Sequence, residues 1–268
     1  MSQSPPTRTT IFIWPTGLFP RRIIYLLRAK SILLSDLAAQ NIHLVPVQLT
    51  PTGLTSHPDY EQRPEGSLPV MRLDYTHPGA EGKEDETVFV RESMAILEYL
   101  DELFSSRQGH KELKGATALQ RARCADILSA LSDAVVWGTV SIAHSNPAAC
   151  RWSGLDERDM SAKAAVHADT KVAQLMGKMD GWVRGNMAVA KGGSSMSLAG
   201  KGAGVTLADV ALMAQVEYIR EVYGMDCIVG YGGLEAWWEG MRGEEWVVGR
   251  EVLVECEKMG KWEGVLGE

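Results

Sequence analysis

A proline just before a strand, followed by an apolar helix with a polar start, constrains this chain more than any other feature. The segment GSLPVMRLD places Pro69 between Leu68 and Val70, where the chain turns into a strand. X-Pro bonds adopt the cis form at low cost, so a cis peptide bond is expected here. The segment RESMAILEYLDELF then begins a helix at Ser93, and a helix N-terminus favours an anionic ligand. Together the two segments predict a corner that binds a peptide.

Composition sets the broad class of protein. With 268 residues, of which 45% are hydrophobic, the chain can form two modest domains. A net charge of -7 argues against nucleic-acid binding, which needs a basic face. No signal or membrane-spanning segment is recognised, so a cytoplasmic location without membrane contact is expected. The four cysteines lack metal-ligand spacing, so no metal site is expected.

The first third of the chain has the pattern of an α/β domain. A strand over Ile11–Trp14 precedes a helix that starts near Pro20, a favourable first helical residue. A second strand, Ile42–Leu49, contains Pro46, which cannot donate to a ladder and therefore predicts a sheet edge. Two further strands and the helix from Ser93 complete a βαβ–ββα order, the thioredoxin-like arrangement. The strands are predicted over Leu68–Leu73 and Val88–Val90.

The remainder of the chain is predicted to be helical. Apolar residues recur at helical spacing from Leu119 to Val136, which indicates a long amphipathic helix. Further helices are predicted over about 156–184, 206–223 and 234–247. Residues 74–87 are acidic, contain glycine and are predicted to form an extended, solvated hairpin loop. Residues 190–204 are rich in Gly and Ser and are predicted to form a mobile loop.

These segments and their order resemble the glutathione transferases, from about Thr10 to Leu253. The resemblance implies an α/β thioredoxin-like glutathione-binding domain over 1–108 and an all-α substrate domain over 109–268. It also implies glutathione as the cofactor. The chain looks most similar to divergent fungal members, some of which serve secondary metabolism.

The resemblance also assigns the glutathione site. It gives Leu68 the backbone that pairs with the cysteine of glutathione, with Pro69 as the cis-proline. Glu92 would hold the γ-glutamyl ammonium, and Ser93 the α-carboxylate. The alternative is that Ser93 is only an N-cap and Glu92 a favourable first-turn charge. His57 lies in a segment that reaches the glycine carboxylate in the family, or is simply an exposed loop residue.

The expected catalytic side chain is absent. The family places a Ser, Cys or Tyr after the first strand, where a hydrogen bond favours the thiolate of glutathione. That position falls on Gly17, which offers only a backbone N–H, and Thr16 is one residue away. Two sources of the hydrogen bond therefore remain open. One is the Thr16 hydroxyl; the other is the backbone amides at the start of the first helix.

Two more groups of residues follow from the resemblance. Phe19, Trp137 and His144 fall where the family binds its hydrophobic substrate, although a Trp at helical spacing is more often part of a core. The segment from Val205 to Val210 resembles the helix-opening box of the family's C-terminal domain. In that box, Thr206 and Asp209 cap a helix start, which is a structural role.

Three functions remain in consideration. The first is a glutathione-dependent transferase that acts on a hydrophobic electrophile, with a secondary-metabolite pathway as its setting. The second is a glutathione-dependent cis–trans isomerase of a conjugated double bond, which begins with the same thiol addition. The third is a non-catalytic binding or assembly module with the transferase fold. Family members are commonly two-fold dimers, so a homodimer is expected.

Overall fold

A computed structural model describes residues 5–76, 85–188, 197–200 and 202–268. The central part of the predicted loop at 74–87 and most of the loop at 190–204 lie outside these ranges. The chain forms two compact units. The first comprises residues 1–113, 213–225 and 243–268, and the second comprises residues 114–212 and 226–242. The predicted domain boundary between residues 108 and 109 stays a prediction.

A mixed sheet of five strands forms the centre of the first unit, in the order β3-β2-β1-β4-β5. Strand β1 runs parallel to β2 and antiparallel to β4, which pairs antiparallel with β5. Both faces of β1 are buried, because the consecutive residues Ile11, Phe12 and Ile13 are apolar and each 0% exposed. The strands span β1 Arg8–Ile13, β2 Ile42–Thr50, β3 Gly53–Ser56, β4 Val70–Tyr75 and β5 Glu86–Val90.

The predicted edge position of β2 is wrong. Strand β3 pairs antiparallel with β2, from Val47 opposite Ser56 to Thr50 opposite Gly53. Pro46 precedes this paired stretch, so its missing N–H removes no bond from the β2–β3 ladder. Its carbonyl instead accepts a 2.8 Å hydrogen bond from the backbone N–H of His57.

Two helices of the first unit carry the polar residues of the candidate site. Helix α1 begins at Leu18, two positions before the predicted start at Pro20. Pro20 still lies in the first turn of the helix, where its missing N–H removes no intrahelical hydrogen bond. Helix α3 packs against α1. A buried ion pair of 2.6 Å between Lys30 and Asp101 fixes the two helices to each other.

The helices of the described residues include two long ones, α4 and α6, which pack along each other in the second unit. By length and composition alone α4 would be long enough to cross a membrane, with a mean hydropathy of 1.3 over its most apolar window. The helices are α1 Leu18–Ala29, α2 Leu34–Ala39, α3 Ser93–Leu103, α4 Ala118–Ser145, α5 Cys150–Ser153, α6 Ala162–Ala188, α7 Leu207–Tyr223, α8 Gly232–Met241, α9 Arg250–Met259 and α10 Glu263–Leu266.

The buried carboxylate of Asp209 organises the second unit. It accepts hydrogen bonds from the backbone N–H and the hydroxyl of Thr206, at 2.7 and 2.6 Å. The bond from the backbone N–H is the one that the predicted box requires of Asp209. It also accepts from the Ser197 hydroxyl, the Leu198 N–H and the Trp237 indole. Ser197 and Leu198 are therefore buried and held, although the sequence placed them in a mobile loop.

Candidate active site

The predicted cis-proline corner is present at the start of β4. The Leu68–Pro69 peptide bond is cis, and Leu68 packs with Phe12 and Val70 in a buried cluster. Among the residues that the structure describes, no hydrogen bond to the backbone of Leu68 is formed. This short extended segment can therefore accept an added strand of a ligand.

Two polar side chains lie at the start of α3. Glu92 is the N-cap residue, but its side chain makes no cap hydrogen bond. Ser93 is the first helical residue and is buried, so it is not the N-cap that the alternative interpretation proposed. The first intrahelical bond runs from Ile96 N–H to the Glu92 carbonyl. The amides that precede Ile96 are therefore available to an anion.

A buried cation lies next to Ser93. The side chain of Arg22 is 3% exposed, and its Nη1 lies 3.5 Å from the Ser93 hydroxyl. Its Nε and Nη2 have no hydrogen-bond partner in the described part of the chain. The ring of Phe19 covers the guanidinium at 5.1 Å. Burial lowers the pKa of Arg22 to about 10, because a charge without a partner is poorly solvated there.

The neighbouring arginine has a different environment. Arg21 is fully buried, and its Nη2 donates to the Glu221 carboxylate at 2.6 Å. Arg250 approaches the same carboxylate oxygen at 3.4 Å. A cation in the first turn of a helix is unfavourable unless it has such a partner. Arg21 therefore has a carboxylate partner, although its Nε and Nη1 have none, whereas Arg22 has no carboxylate partner in the described part of the chain.

The turn after β1 commits both predicted thiolate donors to other groups. The N–H of Gly17 donates to the carbonyl of Trp14 at 3.0 Å. The hydroxyl of Thr16 donates to Glu257 at 2.6 Å. At the start of α1, the first intrahelical bond is that of Arg21 N–H to the Gly17 carbonyl, and Pro20 has no N–H. The amides of Leu18 and Phe19 are the backbone groups left to bind an anion.

Glu257 of α9 completes this turn. One carboxylate oxygen accepts from the Thr16 hydroxyl and from the Trp14 indole N–H at 3.1 Å. The other accepts from the backbone N–H of Leu49 at 3.0 Å. Helix α9 packs against β2, which brings the carboxylate to the ends of β1 and β2. A carboxylate that accepts three hydrogen bonds in a half-buried place is firmly oriented.

His57 is held by other residues of the first unit. Its Nδ1 lies 3.6 Å from a carboxylate oxygen of Asp59, and its ring meets Tyr60 edge-on. Gly260 packs so closely that a β-carbon there would lie 2.7 Å from the His57 Nδ1. This side chain supports the junction with the C-terminal segment, and its proposed role with glutathione stays a prediction.

The residues predicted to contact the second substrate fall into both units. Phe19, in the first unit, is 38% exposed. Trp137 of α4 contacts the His167 ring of α6 edge-on within the second unit. His144, also on α4, accepts a 3.2 Å hydrogen bond from the backbone N–H of Ser161. Their role in substrate binding stays a prediction.

Two site residues were beyond sequence reasoning. Glu257 lies in the last helices and comes to the turn only through tertiary packing, so no local pattern points to it. Trp14 was assigned to a strand, and only the packing of its indole on Gly17 reveals why a glycine stands there. Within the described ranges no cluster of His, Cys, Asp or Glu could hold a metal ion.

Comparison with known proteins identifies the fold. No protein-family model matches this sequence, and no curated protein matches it. Among solved structures, the trimeric glutathione transferase TDR1 of Leishmania has 18% identity and a TM-score of 0.57; the match covers 93% of this chain and 47% of that one. This chain thus spans about half the length of the Leishmania protein.

Two other solved structures match over nearly their whole length. Gtt2 of Saccharomyces cerevisiae has 18% identity and a TM-score of 0.56, covering 89% of this chain and 98% of that one. A glutathione transferase of Methylobacillus flagellatus with glutathione bound has 15% identity and a TM-score of 0.56, covering 89% and 96%. The predicted fold is therefore confirmed: a thioredoxin-like domain and a helical domain, as in glutathione transferases.

Proposed function

We propose that this chain, which has the glutathione transferase fold, is a divergent glutathione transferase that joins the glutathione thiol to a hydrophobic electrophile. The cis Leu68–Pro69 corner and the polar start of α3 support the proposal. A module that had lost glutathione binding would have no chemical need of both.

The residues fit glutathione. The open backbone of Leu68 would pair with the cysteine of the tripeptide, as a short added strand. Glu92, exposed and without a cap bond, would hold the γ-glutamyl ammonium. Ser93 and the first amides of α3 would hold the α-carboxylate.

The single observation that carries the proposal is the buried guanidinium of Arg22. A buried cation with unpaired N–H groups is costly unless an anion meets it. Nη1 of Arg22 points to Ser93, which the glutathione carboxylate would contact. A ligand carboxylate at the start of α3 would therefore be bound by the helix and would compensate Arg22 at the same time.

Addition of the glutathione thiol to the second substrate can lead to either of two reactions. Conjugation consumes glutathione, whereas isomerisation of a conjugated double bond returns it after each turnover. Incubation with an enone and a trace of glutathione separates them. Many turnovers per glutathione would support isomerisation, and stoichiometric loss of thiol with an adduct in the mass spectrum would support conjugation. Conjugation is the main proposal because it also accepts substrates that have a leaving group.

Calorimetry with reduced glutathione tests the binding step. We expect one glutathione per chain, and Ser93→Ala should weaken affinity by about tenfold to a hundredfold, because it removes a hydrogen bond to a charged group. Ser106→Ala, in an exposed short turn, is the matched control and should bind as the wild type does. Absence of binding to the folded wild type rejects the proposal. Equal binding by Ser93→Ala would reject the placement of the carboxylate.

A homodimer in the cytoplasm remains part of this proposal. Large apolar side chains are exposed on the long helices of the second unit: Leu119 and Val136 on α4 and Val166 on α6. Burial of such side chains between two copies of the chain would favour association. Light scattering of the purified protein would give the oligomeric state.

A further inference from the structure

The Thr16 hydroxyl has no hydrogen left to offer a thiolate. A hydroxyl carries one hydrogen and two acceptor lone pairs. The 2.6 Å hydrogen bond to Glu257 uses that hydrogen. Toward a bound thiol, Thr16 can therefore act only as an acceptor, the reverse of the role that its sequence position suggested.

The Gly17 amide is also in use, through its bond to the Trp14 carbonyl. The two expected donors of the turn after β1, the Thr16 hydroxyl and the Gly17 amide, are therefore occupied. The charged group that contacts this turn is the carboxylate of Glu257. A carboxylate near sulfur disfavours the thiolate, because like charges repel. It can, however, receive a proton.

Glu257 has the capacity to do so. Two oxygens offer about four acceptor positions, and three are filled by Trp14, Thr16 and Leu49. The groups that donate to the carboxylate from the turn after β1 and from β2 are all neutral. On α9 itself the adjacent Cys256 is a buried thiol, and its pKa is raised to about 12 by burial and by the charges of Glu257 and Glu263. Cys256 therefore stays protonated and does not compete for the role.

We propose that Glu257 is the proton acceptor of this site and that Thr16 passes the proton to it. This inference rests on the proposed binding of glutathione. The resting complex keeps the thiol. As the sulfur attacks the β-carbon of an enone, the S–H proton moves to Oγ of Thr16 while the Thr16 proton moves to Oε2 of Glu257, and the electron pair of sulfur forms the new C–S bond. The carbanion then takes the proton back from Glu257 along the same path. No other reactant is needed.

The proposal predicts that substitution of Glu257 changes thiolate formation and kcat in opposite directions. Removing the charge in Glu257→Gln should let bound glutathione ionise about one pH unit lower, which is about tenfold more thiolate at neutral pH. Loss of acid–base catalysis costs about 10²–10⁴-fold in rate. The second effect outweighs the first, so kcat should fall by at least about tenfold while thiolate absorbance rises. A residue that only supports the turn would not produce this opposite pair of changes.

The experiment uses the full chain, reduced glutathione and the enone phenylbutenone. Ultraviolet titration of each binary complex gives the thiol pKa, and initial rates give kcat. Thr16→Val should lose kcat as Glu257→Gln does, and Thr16→Ser should keep it. Glu255→Gln, an exposed position on the same helix, controls for lost charge. Thermal unfolding of every variant shows that it is folded.

Two results would overturn the inference. One is a wild-type complex whose thiolate absorbance appears well below the pH at which free glutathione ionises. The other is Glu257→Gln with kcat within about threefold of the wild type. If the wild type turns over no enone, the titration alone decides. Failure of the wild type to bind glutathione at all would instead reject the proposed function.

Discussion

A β-carbon on Gly17 would lie 2.6 Å from Cε3 of the Trp14 indole. The indole ring occupies the space that a side chain at position 17 would need. Its N–H is in turn held by Glu257. The glycine at the expected catalytic position is therefore part of a packed arrangement, and a serine there would force the indole or the turn to shift.

Gly17→Ser should lower the free energy of unfolding by about 1–3 kcal/mol, because an overpacked site forces its neighbours to shift. Urea unfolding followed by far-ultraviolet circular dichroism measures the change. In a Trp14→Leu background the same substitution should cost much less, since the clash is gone. Equal costs in both backgrounds would contradict the close approach.

Arg22→Met should stabilise the protein without ligand but abolish glutathione binding. Because the folded-state pKa lies below the ordinary value of 12.5, the fold disfavours the charged form, and this cost is fully present at neutral pH. It fades only as the pH rises through about 10. Removal of the charge should therefore gain about 1–3 kcal/mol, visible as a higher Tm.

Arg22→Lys keeps a charge but loses the planar fork of donors. We expect it to bind glutathione more weakly than the wild type and more tightly than Arg22→Met. Unchanged affinity in Arg22→Met would mean that the cation does not serve the ligand, whatever its effect on stability.

Asp209→Asn should cost about 3 kcal/mol or more of stability. The carboxylate accepts five hydrogen bonds, and an amide would turn a donor toward donors. Chemical denaturation measures it. Asp133→Asn, at an exposed position of α4, is the control and should change stability by less than about 0.5 kcal/mol. A similar small change at Asp209 would contradict the network.

Cys256 should resist alkylation in the folded protein at neutral pH. Its thiol is 3% exposed and its pKa is raised to about 12, so almost no thiolate is present. Iodoacetamide followed by peptide mass spectrometry would show labelling at the half-exposed Cys150 first. Rapid labelling of Cys256 would mean that α9 leaves its place against β2.

Sequence patterns correctly predicted the structural features that depend on interactions between residues close together in the chain. A proline before a strand, a polar pair at a helix start and a Thr-x-x-Asp box each act within a few residues, and all three features are present at Pro69, Ser93 and Asp209. The helix predicted over 206–223 runs over Leu207–Tyr223. The role of these residues in binding glutathione stays a prediction.

Features that depend on distant contacts were not predictable. Strand β3 covers β2 although Pro46 argued for an edge, because the proline falls outside the paired stretch. Glu257 reaches Thr16 across 241 positions of the chain. The hydrogen-bonding capacity of Thr16 is set by that distant carboxylate, so its chemical role could not be read from its neighbours in sequence.

The docking of α9 and α10 into the first unit has a consequence for synthesis on the ribosome. Trp262 donates to the Leu44 carbonyl, Arg28 to the Val265 carbonyl, and Thr16 to Glu257. These bonds join β2, α1 and the turn after β1 to residues translated after all of the second unit. The sheet of the nascent chain therefore lacks its contacts with α9 and α10, and stays exposed on that side, while the long helices α4 and α6 are synthesised. Chaperone binding to ribosome-held chains should be strongest over this interval and should end when residues 250–268 clear the exit tunnel.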